Sequence, residues 1–425
     1  MRLVHTSDWH LGKLLCDRTR HDEHEAFLHW LSAYILKENI DCLIIAGDIF
    51  DTTTPSHQAL SLYFQFLHRI TANTNISVII IGGNHDSPTL LNAPDRFLRE
   101  FQIHVIGGTS ESYADEVIPI FCDGKPCGLI CAVPYLRERD LASLNPCEDA
   151  QTREERIKHQ LYSHYQNVYV QAIKLRQEQY SQELPIIGTG HLFAMGGVAG
   201  DGVRSLYLGD LCHIEPDQFP PFDYLALGHL HRRQSVSGDE TKQYSGTPIP
   251  MGFLEAAYRQ YILDITVTEK ELSVTPVEVP RTVDIVSITG DINQIQSKMF
   301  EYKATGKKTL AEIVYTGTAF LPDLAKRVRS SADGSLFTVI RIVDSSMYNT
   351  SPHISHDEMN ETTLSAAKKR LESLDEEFVF STLLEKRKIE ESRRSELWNV
   401  YRQLCTAVHE NDNLAINSRR TGGRP

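Results

Sequence analysis

Over its first 275 residues the chain alternates short apolar runs with longer amphipathic stretches. Leu3–His5, Cys42–Ala46, Val78–Ile81, Leu129–Val133, Pro185–Thr189 and Tyr224–Leu227 have the length and apolar character of buried strands. Glu23–Glu38, Ser56–Thr71, Leu90–Phe101 and the more polar Gln151–Gln182 are helix candidates between them. That alternation predicts an α/β domain. The strands starting at Leu3, Cys42, Val78, Pro185 and Tyr224 each run into a short loop carrying Asp, His, Asn or Gly. In open α/β sheets ligands gather beyond the carboxyl ends of the strands, so polar residues recurring there are expected to converge.

A smaller pattern follows from Arg281 to Asp344. Val283–Thr289, Lys308–Tyr315 and Leu336–Val343 are strand candidates, with helices Ile292–Glu301 and Leu321–Ser331 between them. The expected organisation is therefore a catalytic domain over residues 1–275, an α/β module over 276–345 and a linker over 346–360, followed by a helical region over 361–412 and a polar, disordered tail over 413–425. In the helical region Phe378, Phe380, Leu383 and Leu384, then Trp398, Tyr401 and Leu404, recur near a helical period. Helices that follow a linker and cannot bury both faces alone are read as a docking region for a partner.

Composition refines this picture. A hydrophobic content of 41% is ordinary for a globular chain. No apolar run is long enough to cross a bilayer, and the first residues lack the basic-then-apolar pattern of a signal peptide, so no membrane association and a cytoplasmic location are expected. The eight cysteines form no CxxC pair and no regular framework, which predicts free thiols in a reducing compartment. Cys42 and Cys131 lie in apolar runs and are expected in the core. The formal charge of −13 argues against a broadly basic nucleic-acid surface. Nucleic-acid binding would then need phosphates to be met by metal cations and local Lys/Arg patches, with further contacts from a partner.

Five motifs carry the chemistry: Asp8-Trp9-His10, Gly47-Asp48-Ile49-Phe50-Asp51, Gly83-Asn84-His85-Asp86, Gly190-His191 and Gly228-His229-Leu230-His231. In extended backbone, residues two apart project to the same side, so Asp8 with His10, and His229 with His231, can each offer two ligands to one cavity. With Asp48, Asn84 and His191 they make a set of two carboxylates, one amide and four imidazoles. Two divalent cations bring four positive charges and the carboxylates cancel two, leaving a net positive site suited to a phosphate and an attacking hydroxide. Asp48 is the natural bridging ligand for ions about 3.5–4 Å apart. Imidazole with carboxylate oxygen favours Mn²⁺, Fe or Zn²⁺ over Mg²⁺, and Mn²⁺ is the first choice. His85, next to Asn84 but facing the other way, is read as a catalytic group that either protonates the leaving oxygen as a general acid or stabilises the transition-state charge, with Asp51 able to fix its tautomer.

The five motifs in this order resemble the calcineurin-like metallophosphoesterase superfamily over the first two-thirds of the chain. More finely, His5–Gly12, Ala46–Asp51, Gly83–Ser87, Leu227–His231 and Tyr244–Pro248 are similar to the SbcD family of bacterial nuclease subunits. The resemblance implies a layered α/β/β/α sandwich of two mixed sheets, in place of a single open sheet, with a smaller α/β capping domain and C-terminal helices. It also implies that Asp8, His10, Asp48 and His231 hold one Mn²⁺ and that Asp48, Asn84, His191 and His229 hold the other, with His85 catalytic. A homodimer acting on DNA with an SbcC-like coiled-coil ATPase would follow, cutting duplex ends exonucleolytically and hairpins or single strands endonucleolytically. Two rival readings are an enzyme of the same superfamily acting on a small phosphoester, and a metal-free scaffold. The former explains the acidity better but gives the last third of the chain no purpose.

Overall fold

A computed structural model describes residues 1–72, 74–141, 150–180, 184–194, 215–268, 272–318, 321, 323–332 and 336–344. The expected linker, helical docking region and tail lie outside the described residues.

The first part contains, in chain order, β1 (Arg2–Thr6), β2 (Leu14–Leu15), β3 (Arg18–Thr19), α1 (His21–Glu38), β4 (Cys42–Ala46), α2 (His57–Thr71), β5 (Ser77–Ile81), α3 (Pro88–Asn92), α4 (Asp95–Arg99) and β6 (Ile103–Ile106). It continues through β7 (Val117–Cys122), β8 (Lys125–Cys131), α5 (Glu138–Leu141), α6 (Ala150–Gln179), β9 (Ile186–His191), β10 (Tyr224–Gly228), β11 (Gln234–Val236), β12 (Asp239–Tyr244), β13 (Tyr261–Val267) and β14 (Leu272–Glu278). Two six-stranded sheets result, ordered β14-β13-β1-β4-β5-β6 and β11-β12-β10-β9-β8-β7. Both are mixed: β1, β4, β5 and β6 run parallel in the first, β8, β9, β10 and β12 in the second, with antiparallel strands at the margins.

The layering follows from which residues are buried on which face. In β4 every residue is buried. Leu43 and Ile45 join the cluster that includes Phe27, Leu31 and Ile35 of α1 and Leu62, Phe66 and Ile70 of α2. Cys42, Ile44 and Ala46 face the other way, into a cluster shared with Ile130, Ile187, Tyr224 and Ala226 of the second sheet. A strand covered on both faces must be apolar at every position, which is why these runs do not alternate. Each such side chain contributes about 1.5–3 kcal/mol on burial. A third cluster packs Leu161, Tyr165 and Val168 of α6 on the outer face of the second sheet, completing an α/β/β/α sandwich.

Helix α2 shows the amphipathic logic cleanly. Ala59, Leu62, Tyr63, Phe66, Leu67 and Ile70 form its buried stripe, and the Ser56 hydroxyl caps it by accepting the Ala59 N–H at 3.2 Å. The expected helix Leu90–Phe101 is instead two short helices, α3 and α4, broken at Pro94, whose ring cannot continue the hydrogen-bond ladder.

One expectation is corrected. Cys122 and Cys127 are not free thiols; a disulfide joins them across the β7–β8 hairpin, with Cα atoms 5.8 Å apart. The hairpin turns on Asp123 and Gly124, both at positive φ (49° and 75°), the two-residue arrangement that Asp-Gly favours. Cys42 and Cys131 are buried, as their apolar surroundings indicate.

The trailing module comprises β15 (Asp284–Gly290), α7 (Ile292–Ala304), β16 (Thr309–Tyr315), α8 (Leu324–Ala332) and β17 (Phe337–Asp344), with a parallel sheet ordered β15-β16-β17. Ile288, Ile295, Met299, Ile313, Val328 and Phe337 make its own core.

Candidate metal centre

The carboxyl ends of β1, β4 and β5 in one sheet and of β9 and β10 in the other open towards the same edge of the sandwich, because β4 packs across onto β9 and β10. Asp8 and His10 follow β1, Asp48 follows β4, Asn84 and His85 follow β5, His191 ends β9, and His229 and His231 follow β10.

The structure brings all seven expected ligand residues together. Asp8, His10 and His231 form one group whose donor atoms lie within 4.8 Å of one another, and Asp8, Asp48 and His191 form another. Asn84 joins the second side through its Oδ1, 2.9 Å from His191 Nε2 and 3.1 Å from His229 Nδ1. Asp48 lies between the two sides, with Oδ2 3.3 Å from His191 Nε2 and 3.7 Å from His10 Nε2. Its Oδ1 accepts the His85 N–H at 2.8 Å.

The local geometry differs from the extended pairs that the motifs suggest. Asp8 (φ 53°), His10 (φ 46°), Asp48 (φ 50°) and His229 (φ 99°) all sit in positive-φ backbone. The ligands meet through tight loops, which aim consecutive side chains in ways a pleat does not. Backbone hydrogen bonds hold those loops: Asp8 N–H to Gly47 O and His10 N–H to Asp48 O, each 3.0 Å. Trp9, fully buried between the two ligands, packs edge-on against Phe27 and Phe66 and donates to Thr6 Oγ1 at 3.0 Å. Close approach explains two of the glycines: a Cβ at Gly47 would overlap the His191 ring, and one at Gly228 would overlap the Ala46 carbonyl.

Electrostatics fit a cation-binding cluster. Burial opposes ionisation of Asp48, yet the imidazoles of His191, His10 and His85 outweigh it and hold the carboxyl well below its ordinary range. Burial likewise opposes charge on His191, but Asp48 raises it to about 9. His229 is pushed down to about 3 by burial and then by the neighbouring His191. His10 is only 2% exposed, and neither ring nitrogen has a hydrogen-bond partner. Buried polar atoms are nearly always satisfied, so two imidazole nitrogens without hydrogen-bond partners, facing carboxylates, fit a cation-binding role. Neutral imidazoles, carboxylates and one amide oxygen are a donor set that fits first-row divalent ions.

His85 is half-buried beside this cluster, its ring centroid 4.8 Å from that of His10. Its Nδ1 lies 2.7 Å from the main-chain oxygen of Asp51. The expected tautomer contact thus comes from the Asp51 carbonyl; the Asp51 carboxylate instead meets Lys13 Nζ at 3.0 Å and lies 3.6 Å from His10 Nδ1. Three braces had no role assigned from the sequence. Asp86 is fully buried and accepts N–H groups from Gly83, Ile49 and Phe50 at 2.9, 3.1 and 3.0 Å, tying the Asn84 loop to the Asp48 loop. Ser7 donates to the Asp8 carboxylate and meets Ser245 Oγ at 2.8 Å. Glu255 accepts from His231 Nδ1 at 2.7 Å. Asp86 lies inside a motif and was within reach of sequence reasoning; Glu255 lies in no motif and becomes visible only in the fold.

Comparison with known proteins agrees with this geometry. The model of the calcineurin-like phosphoesterase family matches residues 1–233, and that of the type 5 capsule protein repressor C-terminal domain matches residues 281–388. The chain is 30% identical to the SbcD component of the nuclease SbcCD of Escherichia coli over 412 residues, covering 96% of this chain and 98% of that one. It is 34% identical to the SbcD component of Rhodobacter capsulatus over 267 residues, 61% of this chain and 64% of the relative. The Bacillus subtilis counterpart is 32% identical over 264 residues, 62% of this chain and 65% of the relative.

Proposed function

Because the chain belongs to the calcineurin-like phosphoesterase family and, within it, to the SbcD nuclease subunits, we propose that it is the Mn²⁺-dependent DNA-cutting subunit of an SbcCD-type complex. The observation that carries this reading is the position of Asp48, whose carboxylate faces His191 on one side and His10 on the other. Asp8, His10, Asp48 and His231 would hold one ion, and Asp48, Asn84, His191 and His229 the second, with Asp48 shared. Two ions so placed would polarise a phosphodiester and supply a hydroxide nucleophile at neutral pH.

The chain's own residues do the rest. A carbonyl can only accept, so His85 Nδ1 carries a proton to Asp51 O, and Nε2 is the ring position turned to other work. Protonated there, His85 donates to the leaving 3′ or 5′ oxygen as the P–O bond breaks. The strained loops of Asp8, His10 and Asp48, braced by Asp86 and Trp9, keep the donors aimed before substrate arrives.

The substrates we assign are duplex ends, cut exonucleolytically, and hairpins or single strands, cut endonucleolytically, in DNA repair and recombination. Similarity to the SbcD component over 96% of this chain supports a partner of the SbcC type; we assign to it a coiled-coil ATPase docked through residues 361–412 of a cytoplasmic homodimer. Among the described residues no helix is long and apolar enough to cross a membrane.

Purified protein with Mn²⁺ should degrade linear duplex or hairpin DNA. Asp48→Asn, which removes the shared carboxylate charge, should lower cleavage by more than ~100-fold, since even outer-sphere partners of metal ligands are worth ~10–100-fold. Vigorous hydrolysis of small diesters without DNA cleavage in any metal would overturn the assignment.

A further inference from the structure

We infer that the trailing β-α-β-α-β module sets the orientation of His231 through the loop from Met251 to Gln260, with Glu255 as the positioning residue. This rests on the two-ion reading of the site, in which His231 is a ligand.

Glu255 is 2% exposed and both its oxygens are committed. Oε1 accepts from His231 Nδ1 at 2.7 Å, and Oε2 accepts the Met251 N–H at 2.7 Å. An ionised carboxylate only accepts, so the ring's proton sits on Nδ1 and the lone pair of Nε2 is left for the cluster. One ring nitrogen of His231 lies within 4.8 Å of the Asp8 and His10 donor atoms. Turning the carboxylate therefore turns the ring about its tethered nitrogen and sweeps the other nitrogen across that side of the cluster.

The opposite face of the same loop is gripped by the module. Arg281, just ahead of β15, donates to Ala256 O at 2.9 Å, to Tyr258 O at 2.8 Å and to Gln260 Oε1 at 2.8 Å. Gln260 in turn donates from Nε2 to Glu255 O at 3.1 Å and to Tyr258 O at 2.9 Å. Beneath these bonds, Phe253 and Ala256 of the loop pack on a cluster of Leu15, Val283, Ile285 and Leu310. The path from module to ligand is thus Arg281, Gln260, the Glu255 backbone, the Glu255 carboxylate and His231, with no gap wider than a hydrogen bond. A shift of the module against the sandwich drags the loop with it and unseats one metal ligand, leaving Asp48, Asn84, His191 and His229 where they are. This is a route by which force on the module would adjust the nuclease centre.

The test uses the full chain with Mn²⁺ as probe, in Arg281→Ala and Glu255→Gln. Titration followed by calorimetry and electron paramagnetic resonance should show one site's affinity falling ~10–100-fold in Glu255→Gln. In Arg281→Ala the same site should weaken roughly 3- to 10-fold, with the other site unchanged. Histidine-selective ¹⁵N NMR of the metal-free protein should show the His231 ring resonances displaced in both variants. Arg281→Ala with wild-type affinities and an unmoved His231 resonance would overturn the coupling and reduce Glu255 to a local brace. Failure of the unmutated protein to take up any ion would count against the two-ion reading, and the ring resonances would then decide the coupling by themselves.

Discussion

Asp8, His10, Asp48 and His229 occupy backbone that L-residues with a β-carbon rarely adopt, at a cost on the order of 1 kcal/mol or more each. Strain of that kind persists only where surrounding bonds over-determine it, and here the Asp8–Gly47 and His10–Asp48 backbone bonds do so. His85 bonds to the Asp51 carbonyl, and it groups with His10 and Asp51 and not with Asp8, so its role separates from that of the Asp8 groups only by experiment. His85→Gln should retain Mn²⁺ and DNA binding while cleavage falls by ~10²–10⁴-fold. Loss of metal in a calorimetric titration of that variant would make His85 a ligand instead. Two other histidines should contribute to the loss of stability in acid. Burial pushes His5 down to about 3, and burial, reinforced by the nearby Arg20 charge, does the same to His24. The unfolded chain takes up their protons near pH 6.5 while the folded chain refuses them until about pH 3, so stability is full above pH 6.5 and is lost as pH falls through that window. The slope should be on the order of 1 kcal/mol per pH unit for each histidine. Denaturant melts of wild type and His24→Phe between pH 7 and pH 5 measure it; a variant whose slope matches wild type would refute the assignment.

At the scale of elements, apolar runs with one environment on each face were the readable ones. Cys42–Ala46 and Tyr224–Leu227 were legible nearly to the residue, because a strand buried on both sides leaves no polar position to blur its ends. The strands β11, β12, β13 and β14 were not read from the sequence: β12 and β14 present polar or exposed residues at most positions, and β11 and β14 are the edges of their sheets. The β7–β8 hairpin is signalled locally by Asp123-Gly124 alone, and the disulfide that crosses it follows from that turn and not from any regular cysteine spacing. In the trailing module, Asp291 caps α7 by accepting from Asn293 and Gln294 N–H groups, and Gln294 returns the contact to the Asp291 N–H. Asp291→Ala removes the carboxylate half of that box, leaving the residue 291 N–H to Gln294, and should lower the module's stability by ~1 kcal/mol. Hydrogen exchange along β15, β16 and β17 should quicken accordingly, and unchanged protection would show that tertiary packing alone holds the helix.

For the whole molecule, the motifs carried the residues that gather at the strand ends and the family resemblance carried the layered sandwich, but neither could carry the braces. Ligand residues announce themselves because only a few side chains bind cations, and they recur at strand ends. Glu255, Asp86 and Ser245 act by reaching across loops distant in the chain, and no local pattern encodes that reach. The formal charge of −13 is compatible with the proposed site, where bound cations and not a broadly basic surface would meet the phosphate. The pairing of β1 with β4 on one side and β13 on the other has a further consequence. Asp8 and His10 are made well over two hundred residues before β13, so the strand that carries them gains its second neighbour only once Tyr261–Val267 has been made. Until then a long stretch of nascent polypeptide waits with one flank of its central strand bare, open to pairing with another chain. Premature termination between β12 and β13 should therefore produce not a weaker enzyme but an aggregating one.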